Sequence, residues 1–185
     1  MKKQLKSGFT IVELIVVVVV IGILASIAIV SYNGIQQRAL NTARINELRV
    51  WEKIIVSYVA ANGNFPPALA YNASVQNYKC LGKGFPVGAG GAARCRNYNS
   101  TTDSYLETDN TTLMTELAAI GKVSSSEKKP AGGVVGPYIH RAWTDLVILY
   151  VALDGRNGYQ CPSGTSESYV STDRSTLLCS LSVNL

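Results

Sequence analysis

The amino-acid sequence predicts an α+β protein, in which a long N-terminal α-helix packs on a small antiparallel β-sheet. Three observations predict this class. An apolar run fills residues 9–30, an amphipathic helical pattern follows it, and apolar strand patterns fill the C-terminal third of the chain. The 185 residues provide for one membrane helix and one globular domain of roughly 120 residues.

The apolar run at residues 9–30 has the length of a membrane span. Its only polar side chains are Thr10, Glu13 and Ser26. As a helix it would be roughly 33 Å long, about the thickness of the hydrocarbon core of a bilayer. Three lysines and no acid precede it, so the N-terminus is expected on the cytoplasmic side and the rest of the chain across the membrane.

Glu13 is the unusual residue of this run. A carboxylate inside an apolar helix costs several kcal/mol unless it finds a partner, and it is therefore a functional candidate. Cleavage between Gly8 and Phe9 would create a new α-amine one helical turn from Glu13. In an array of staggered helices, the amine of one copy could meet Glu13 of another.

The first 35 residues resemble the class III signal of type IV pilins. The resemblance is carried by a basic leader ending in Gly8, by Phe9-Thr10-Ile11-Val12-Glu13, and by the small-residue stretch Gly22–Ala28. It implies cleavage after Gly8 by a prepilin peptidase, N-methylation of Phe9, and assembly through Phe9 and Glu13 into a helical filament. The chain departs from the family at Val30, where a helix-kinking proline is often found.

An amphipathic helix is predicted over residues 31–63. Its apolar positions are spaced by three to five residues: Leu40, Ala43, Leu48, Trp51, Ile55 and Tyr58. Arg44 and the other charged residues occupy the remaining positions. Asn62-Gly63-Asn64 predicts its end. The two helical segments either form one helix of about 54 residues, roughly 80 Å long, or are divided at Asn33-Gly34.

The globular head is predicted at residues 64–185, after a leader at 1–8, a transmembrane helix at 9–30 and the amphipathic helix. Residues 64–121 are predicted to be a connecting loop that contains a short helix, with N-caps offered by Asp109-Asn110-Thr111 and apolar positions at Leu113, Leu117 and Ile120. Residues 134–185 are predicted to form an antiparallel sheet of three or four strands. The resemblance implies the pilin fold for this arrangement. Leu146–Leu153 is expected to be a central strand covered on both faces, a further strand is expected to start at Tyr159–Pro162, and the last is predicted at Thr176–Val183.

Four cysteines, Cys80, Cys95, Cys161 and Cys179, predict two disulfides in a domain outside the membrane. Of the three possible pairings we favour Cys80–Cys95 and Cys161–Cys179. Each closes a short loop, worth roughly 3 kcal/mol in the chain-entropy model. The spacings are too wide for Cys-x-x-Cys metal ligands.

The head offers no pattern of a catalytic, cofactor or metal site. The chain's net charge of +5 falls to +2 without the three leader lysines, and the remaining charges are scattered, so no nucleic-acid ligand is indicated. His140, the only histidine, is expected to be structural, and Asp154–Gly158 to be a hairpin turn rather than a calcium site. Asn72, Asn99 and Asn110 begin Asn-x-Ser/Thr patterns and are expected in exposed loops.

The expected function is that of a structural pilus subunit and not of an enzyme. The resemblance implies other copies of the chain, minor pilins, the prepilin peptidase, the pilus assembly machinery and the cytoplasmic membrane as partners. The subunit would be a single-pass membrane precursor and then part of an extracellular pilus. The alternatives are a pseudopilin of a secretion or DNA-uptake system, and a membrane-tethered module whose loop at 64–110 binds a ligand. An ordinary signal peptide would have a shorter apolar region without an acid. A plain membrane anchor, in which Glu13 snorkels to the interface, would leave the Gly-Phe-Thr-x-x-Glu order a coincidence.

Overall fold

The computed structural model describes residues 10–73, 78–82, 93–99, 104–108, 110–121, 136–155, 158–169 and 176–185. The predicted leader and the Gly8–Phe9 cleavage site lie outside these residues. The chain divides into two compact units, Met1–Ala39 and Leu40–Leu185.

Helix α1 extends over Ile11–Asn62, and its assignment is unbroken at Asn33-Gly34. It ends where the sequence predicts. Gly63 has a φ of 73°, a left-handed conformation that suits glycine, and its N–H donates to the Val59 carbonyl at 2.7 Å. The long N-terminal helix of the predicted fold class is thereby confirmed.

The first unit contains the apolar part of α1. Its large apolar side chains from Ile11 to Ile29 are all exposed, with about half or more of their surface accessible. Within the described part of the chain, α1 is the one helix long and apolar enough to cross a membrane, judged by length and composition. No described residue of the first unit covers this surface.

The second unit holds a five-stranded antiparallel sheet of strand order β1-β4-β5-β7-β6. Its strands are β1 (Tyr78–Cys80), β4 (Tyr138–Arg141), β5 (Leu146–Asp154), β6 (Ser166–Tyr169) and β7 (Thr176–Asn184). A separate hairpin pairs β2 (Ala93–Asn99) with β3 (Ser104–Thr108). A 3₁₀ turn covers Pro67–Leu69, and helix α2 covers Thr111–Ala118. The helix and the antiparallel sheet together confirm the α+β class.

Two predictions about the strands were wrong. The region predicted to be a connecting loop contains β1, which joins the main sheet, and the separate β2–β3 hairpin. The main sheet therefore has five strands instead of the expected three or four. The strand expected to start at Tyr159–Pro162 is instead β6, because Pro162 lacks an N–H and its carbonyl accepts the N–H of Thr165 in a turn.

Strand β5 is central, as predicted, with β4 on one side and β7 on the other. Its burial on both faces is only partial. Val147, Leu149, Val151 and Leu153 are buried in the main core, whereas Ile148 and Tyr150 on the opposite face are half-buried. Continuous burial is limited to the last four residues of the strand.

The main core lies between the sheet and the second-unit part of α1. Leu48, Trp51 and Ile55 are fully buried there. Two expectations for the helix were wrong: Ala43 is exposed and Arg44 is buried. Spacing alone does not distinguish a small alanine from a leucine, so it placed Ala43 on the buried side of the helix. Arg44 faces the sheet because its guanidinium donates to the Ala152 carbonyl of β5.

A second, smaller cluster covers the opposite face of the sheet. It joins Tyr138, Ala152 and Leu178 to the disulfide between Cys80 and Cys95, and Tyr138 stacks on Tyr150 with ring centroids 4.8 Å apart. The other disulfide joins Cys161 to Cys179 on β7. Both bonds have the local pairing that the sequence favours.

The two tryptophans give a matched stability test, because Trp51 is 0% exposed and Trp143 is 59% exposed. We expect Trp51→Ala to lower the free energy of unfolding by about 3–5 kcal/mol through loss of core packing. Trp143→Ala should change it by less than about 0.5 kcal/mol. Urea unfolding of the full chain in detergent micelles measures both, and equal midpoints for the two variants would contradict the placement of the core.

Candidate functional site at the start of α1

Glu13 and Thr10 form a reciprocal cap at the start of α1. The backbone N–H and the hydroxyl of Thr10 both donate to Glu13 Oε2 at 2.8 Å, and the Glu13 N–H donates to Thr10 Oγ1 at 3.2 Å. This is the capping box, in which a threonine N-cap and a glutamate three residues later satisfy each other's backbone donors. The carboxylate therefore has partners within its own chain.

This cap corrects the interpretation of Glu13 as an acid that depends on another copy for any partner. The signal was present in the sequence, because a Ser or Thr followed three residues later by an acid and then by an apolar run indicates a capping box. Both Thr10 donors meet Oε2. Among the described residues no donor meets Oε1.

The surroundings of the cap are apolar and uncovered. Ile11, Val12 and Leu14 are among its most exposed neighbours. Farther along, the Ser26 hydroxyl donates to the Gly22 carbonyl at 2.8 Å and so is satisfied within the helix. Glu13 is thus the one ionisable group in the described part of the apolar run.

The two residues of the predicted cleavage site, Gly8 and Phe9, lie outside the described residues. The structure therefore brings together Thr10 and Glu13, and the predicted pairing of Glu13 with a neighbour's Phe9 amine stays a prediction. Its geometric requirement is a carboxylate held at the helix start, where the positive end of the helix dipole also favours an acid.

His140 lies in an aromatic cluster on β4. Its ring packs against Tyr78 with centroids 4.5 Å apart, and Tyr78 also meets the edge of Tyr138. These contacts favour a structural role. In the described ranges no group of three or more His, Cys, Asp or Glu residues is arranged to hold a metal ion. Part of the predicted turn Asp154–Gly158, residues 156–157, lies outside those ranges.

Asn110 is not the exposed loop residue that was expected. Its side-chain amide donates to the carbonyls of Cys80 and Gly82 at 2.9 and 3.1 Å, and the residue is half-buried. The amide thereby ties the loop after β1 to the start of α2. Asn72 is exposed, as expected, and Asn99 ends strand β2.

The described chain thus combines a long apolar helix, capped at its start by Thr10 and Glu13, with an α+β domain that contains two disulfides. Comparison with known proteins indicates which class of protein has this arrangement. The family described as the prokaryotic N-terminal methylation motif matches residues 3–29, a segment that contains Gly8, Phe9 and Glu13.

Type II secretion system core protein G of Aeromonas hydrophila is 32% identical to the chain over 66 residues. The similarity covers 36% of this chain and 46% of that protein, so less than half of the relative's length is matched. No solved structure matches the chain significantly. The methylation motif and this similarity support the assignment of the chain to the superfamily of pilins and pseudopilins. The signal and the apolar helix also fit a membrane-anchored precursor.

The cap can be tested at Thr10. Thr10→Val keeps the side-chain volume but removes the hydroxyl that bonds Glu13, whereas Thr10→Ser keeps the hydroxyl. Loss of an N-cap costs about 1 kcal/mol, so exchange of the Glu13 amide hydrogen should accelerate roughly fivefold in Thr10→Val and remain near wild type in Thr10→Ser. Amide exchange followed by NMR in nanodiscs measures this, and equal exchange in both variants would show that the hydroxyl has no capping role.

Proposed function

We propose that the protein is a structural subunit of a type IV pilus, processed by a prepilin peptidase and assembled into a surface filament through α1. The observation that carries the proposal is the uncovered apolar surface of α1 from Ile11 to Ile29, with Glu13 capped at its start. Such a surface requires a bilayer before assembly and other apolar helices after it.

The proposed mechanism begins with a single-pass precursor whose N-terminus is cytoplasmic and whose head lies across the membrane. Cleavage after Gly8 removes the leader lysines and exposes the α-amine of Phe9, which is then N-methylated. In the filament, this amine of one copy approaches Glu13 Oε1 of another, while Oε2 stays on Thr10. The pairing offsets the burial of both charges and fixes the axial register of the subunits.

The partners follow from this mechanism. They are other copies of the chain and minor pilins, the prepilin peptidase, the assembly machinery and the cytoplasmic membrane. We propose no enzymatic activity and no cofactor for the head. The two disulfides and the aromatic cluster support a durable exposed domain.

A pseudopilin of a type II secretion system is the second candidate. The observation in its favour is the similarity to type II secretion system core protein G. Electron microscopy of shed filaments, with identification of their peptides, separates the two candidates. Long surface filaments built of this chain would support the pilus subunit. Absence of such filaments, together with a secretion defect when the gene is deleted, would support the pseudopilin.

The mature N-terminus distinguishes both candidates from a membrane-tethered binding module. We expect mass spectrometry of the protein from cell envelopes to give a first residue of N-methylated Phe9. A tethered module would retain Met1, and recovery of the intact leader from cells that make filaments would contradict the proposed function.

The charge of Glu13 can be separated from its capping role. Glu13→Ala removes both, whereas Glu13→Gln keeps a side-chain oxygen that can accept from Thr10 but loses the negative charge. Removing one member of a buried ion pair costs about 3–5 kcal/mol. We therefore expect both variants to be cleaved normally and both to form no filaments.

Immunoblots of cleavage and electron microscopy of filaments measure these outcomes. Filaments of normal length from Glu13→Gln would show that the negative charge is not needed. Filaments from Glu13→Ala as well would show that neither property of the side chain sets the register.

A further inference from the structure

Asn41 joins α1 to the end of strand β5 through two hydrogen bonds. Its side-chain N–H donates to the Asp154 carbonyl at 2.8 Å, and its side-chain oxygen accepts the Asp154 N–H at 3.0 Å. Asn41 is 3% exposed and Asp154 is 5% exposed. The amide therefore binds both backbone groups of one residue, as a neighbouring strand would.

The position of this contact is explained by the length of β4. Strand β4 pairs with β5 only as far as the Tyr138–Tyr150 pair, so the described part of β4 provides no partner for Ala152 and Asp154. Asn41 bonds Asp154, and Arg44 donates to the Ala152 carbonyl at 3.2 Å. The side chains of α1 thus complete the hydrogen bonding of β5 where β4 ends.

Arg44 is 6% exposed, and its burial lowers the pKa of its guanidinium, while the nearby charge of Glu47 acts in the opposite direction. An arginine remains charged at neutral pH even so. A buried charge is costly unless it is paired, and its bond to a strand carbonyl is directional. The contact therefore favours one position of the helix on the sheet.

Contacts near its two ends indicate that the second-unit part of α1 runs along β5. Three residues after the end of α1, Phe65 lies under the Arg141 guanidinium, 5.1 Å from its ring centroid, and Arg141 pairs with Val147 near the start of β5. Residues 41–62 of a helix span roughly 32 Å and nine strand residues roughly 30 Å. A pull on α1 toward its N-terminus is therefore directed along the strand and loads these bonds together in shear.

Apolar contacts alone would resist such a pull weakly. The buried stripe of α1 repeats about every turn, so that after a slide of one turn, about 5.4 Å, apolar side chains again face the sheet. The polar contacts do not repeat. After the same slide, the Asp154 backbone groups would face another side chain and remain buried without Asn41.

We propose that Asn41 and Arg44 form an axial lock, which sets the register of α1 on the sheet and resists sliding when α1 is pulled from its N-terminal side. Asn41 is the second residue of the second unit, so a pull transmitted along α1 reaches this lock first. The lock goes beyond the proposed function and depends on it only for the source of the pull, which in a filament would be tension between subunits.

Single-molecule force spectroscopy on the full chain in detergent micelles tests the lock. In the axial geometry, handles are attached at the two chain ends, and the load passes along α1. In the control geometry, one handle is inserted after Asn64, which is exposed, and the other stays at the C-terminus, so that α1 lies outside the load path. The lifetime at constant force is measured in both geometries.

The test variant is Asn41→Leu, and the matched control is Asn46→Leu at an exposed position of the same helix. The substitution leaves the buried N–H and carbonyl of Asp154 without the two hydrogen bonds that Asn41 provides. We therefore expect Asn41→Leu to shorten the lifetime about tenfold in the axial geometry, to leave it nearly unchanged in the control geometry, and Asn46→Leu to change neither.

Equal shortening in both geometries would show a general stabilising role and overturn the lock, and so would an unchanged axial lifetime. If Asn41→Leu does not fold by circular dichroism, Arg44→Met carries the same test, because it keeps the aliphatic stem and loses the bond to Ala152. The experiment uses single chains and needs no filament. A negative result would therefore overturn the axial lock without bearing on the proposal of pilus assembly.

Discussion

The structure depends on one constraint: no described part of its own unit covers the apolar surface of α1 between Ile11 and Ile29. Fourteen large apolar side chains are exposed there. Fully burying one such side chain is worth about 1.5–3 kcal/mol, so their cover contributes on the order of ten kcal/mol or more. That is comparable to the whole net stability of a typical domain. The chain must therefore remain in lipid or bind other apolar helices.

The cost of burying the Glu13 carboxylate differs between these two environments. In lipid, the cap supplied by Thr10 lowers the cost of the carboxylate, since two donors meet Oε2. Among packed helices, a positive group at Oε1 would lower it further. One side chain thus serves the helix start in the precursor and, in the proposed filament, the contact between subunits.

The sequence predicts the features that depend on local signals. The apolar run, Glu13 within it, and the end of α1 at Gly63 follow from residue type and spacing, and so do the strands β5 and β7, which are long and apolar. The favoured disulfides follow from short loops. Features that depend on local sequence were therefore largely predictable. The cap that Thr10 forms with Glu13 is also local, and its Thr-x-x-Glu pattern could have predicted it.

The missed features are held by contacts distant in sequence. Strand β1 has three residues and exists because it pairs with β4, about 60 positions later. Arg44 is buried because a carbonyl of β5, 108 positions away, accepts its N–H, and Asn110 is held by carbonyls beside β1. No local propensity encodes these partners, so spacing alone placed Ala43 inside and Arg44 outside.

The most direct test of the central claim is zero-length cross-linking of filaments assembled from isotopically light and heavy subunits. A carbodiimide joins a carboxylate to an amine only where they touch. The account predicts a cross-linked peptide pair in which Glu13 of a light subunit is joined to the Phe9 amine of a heavy one, and the reverse. The account would be contradicted if every cross-linked pair joined two peptides with the same isotope label, or if no cross-link were found at Glu13.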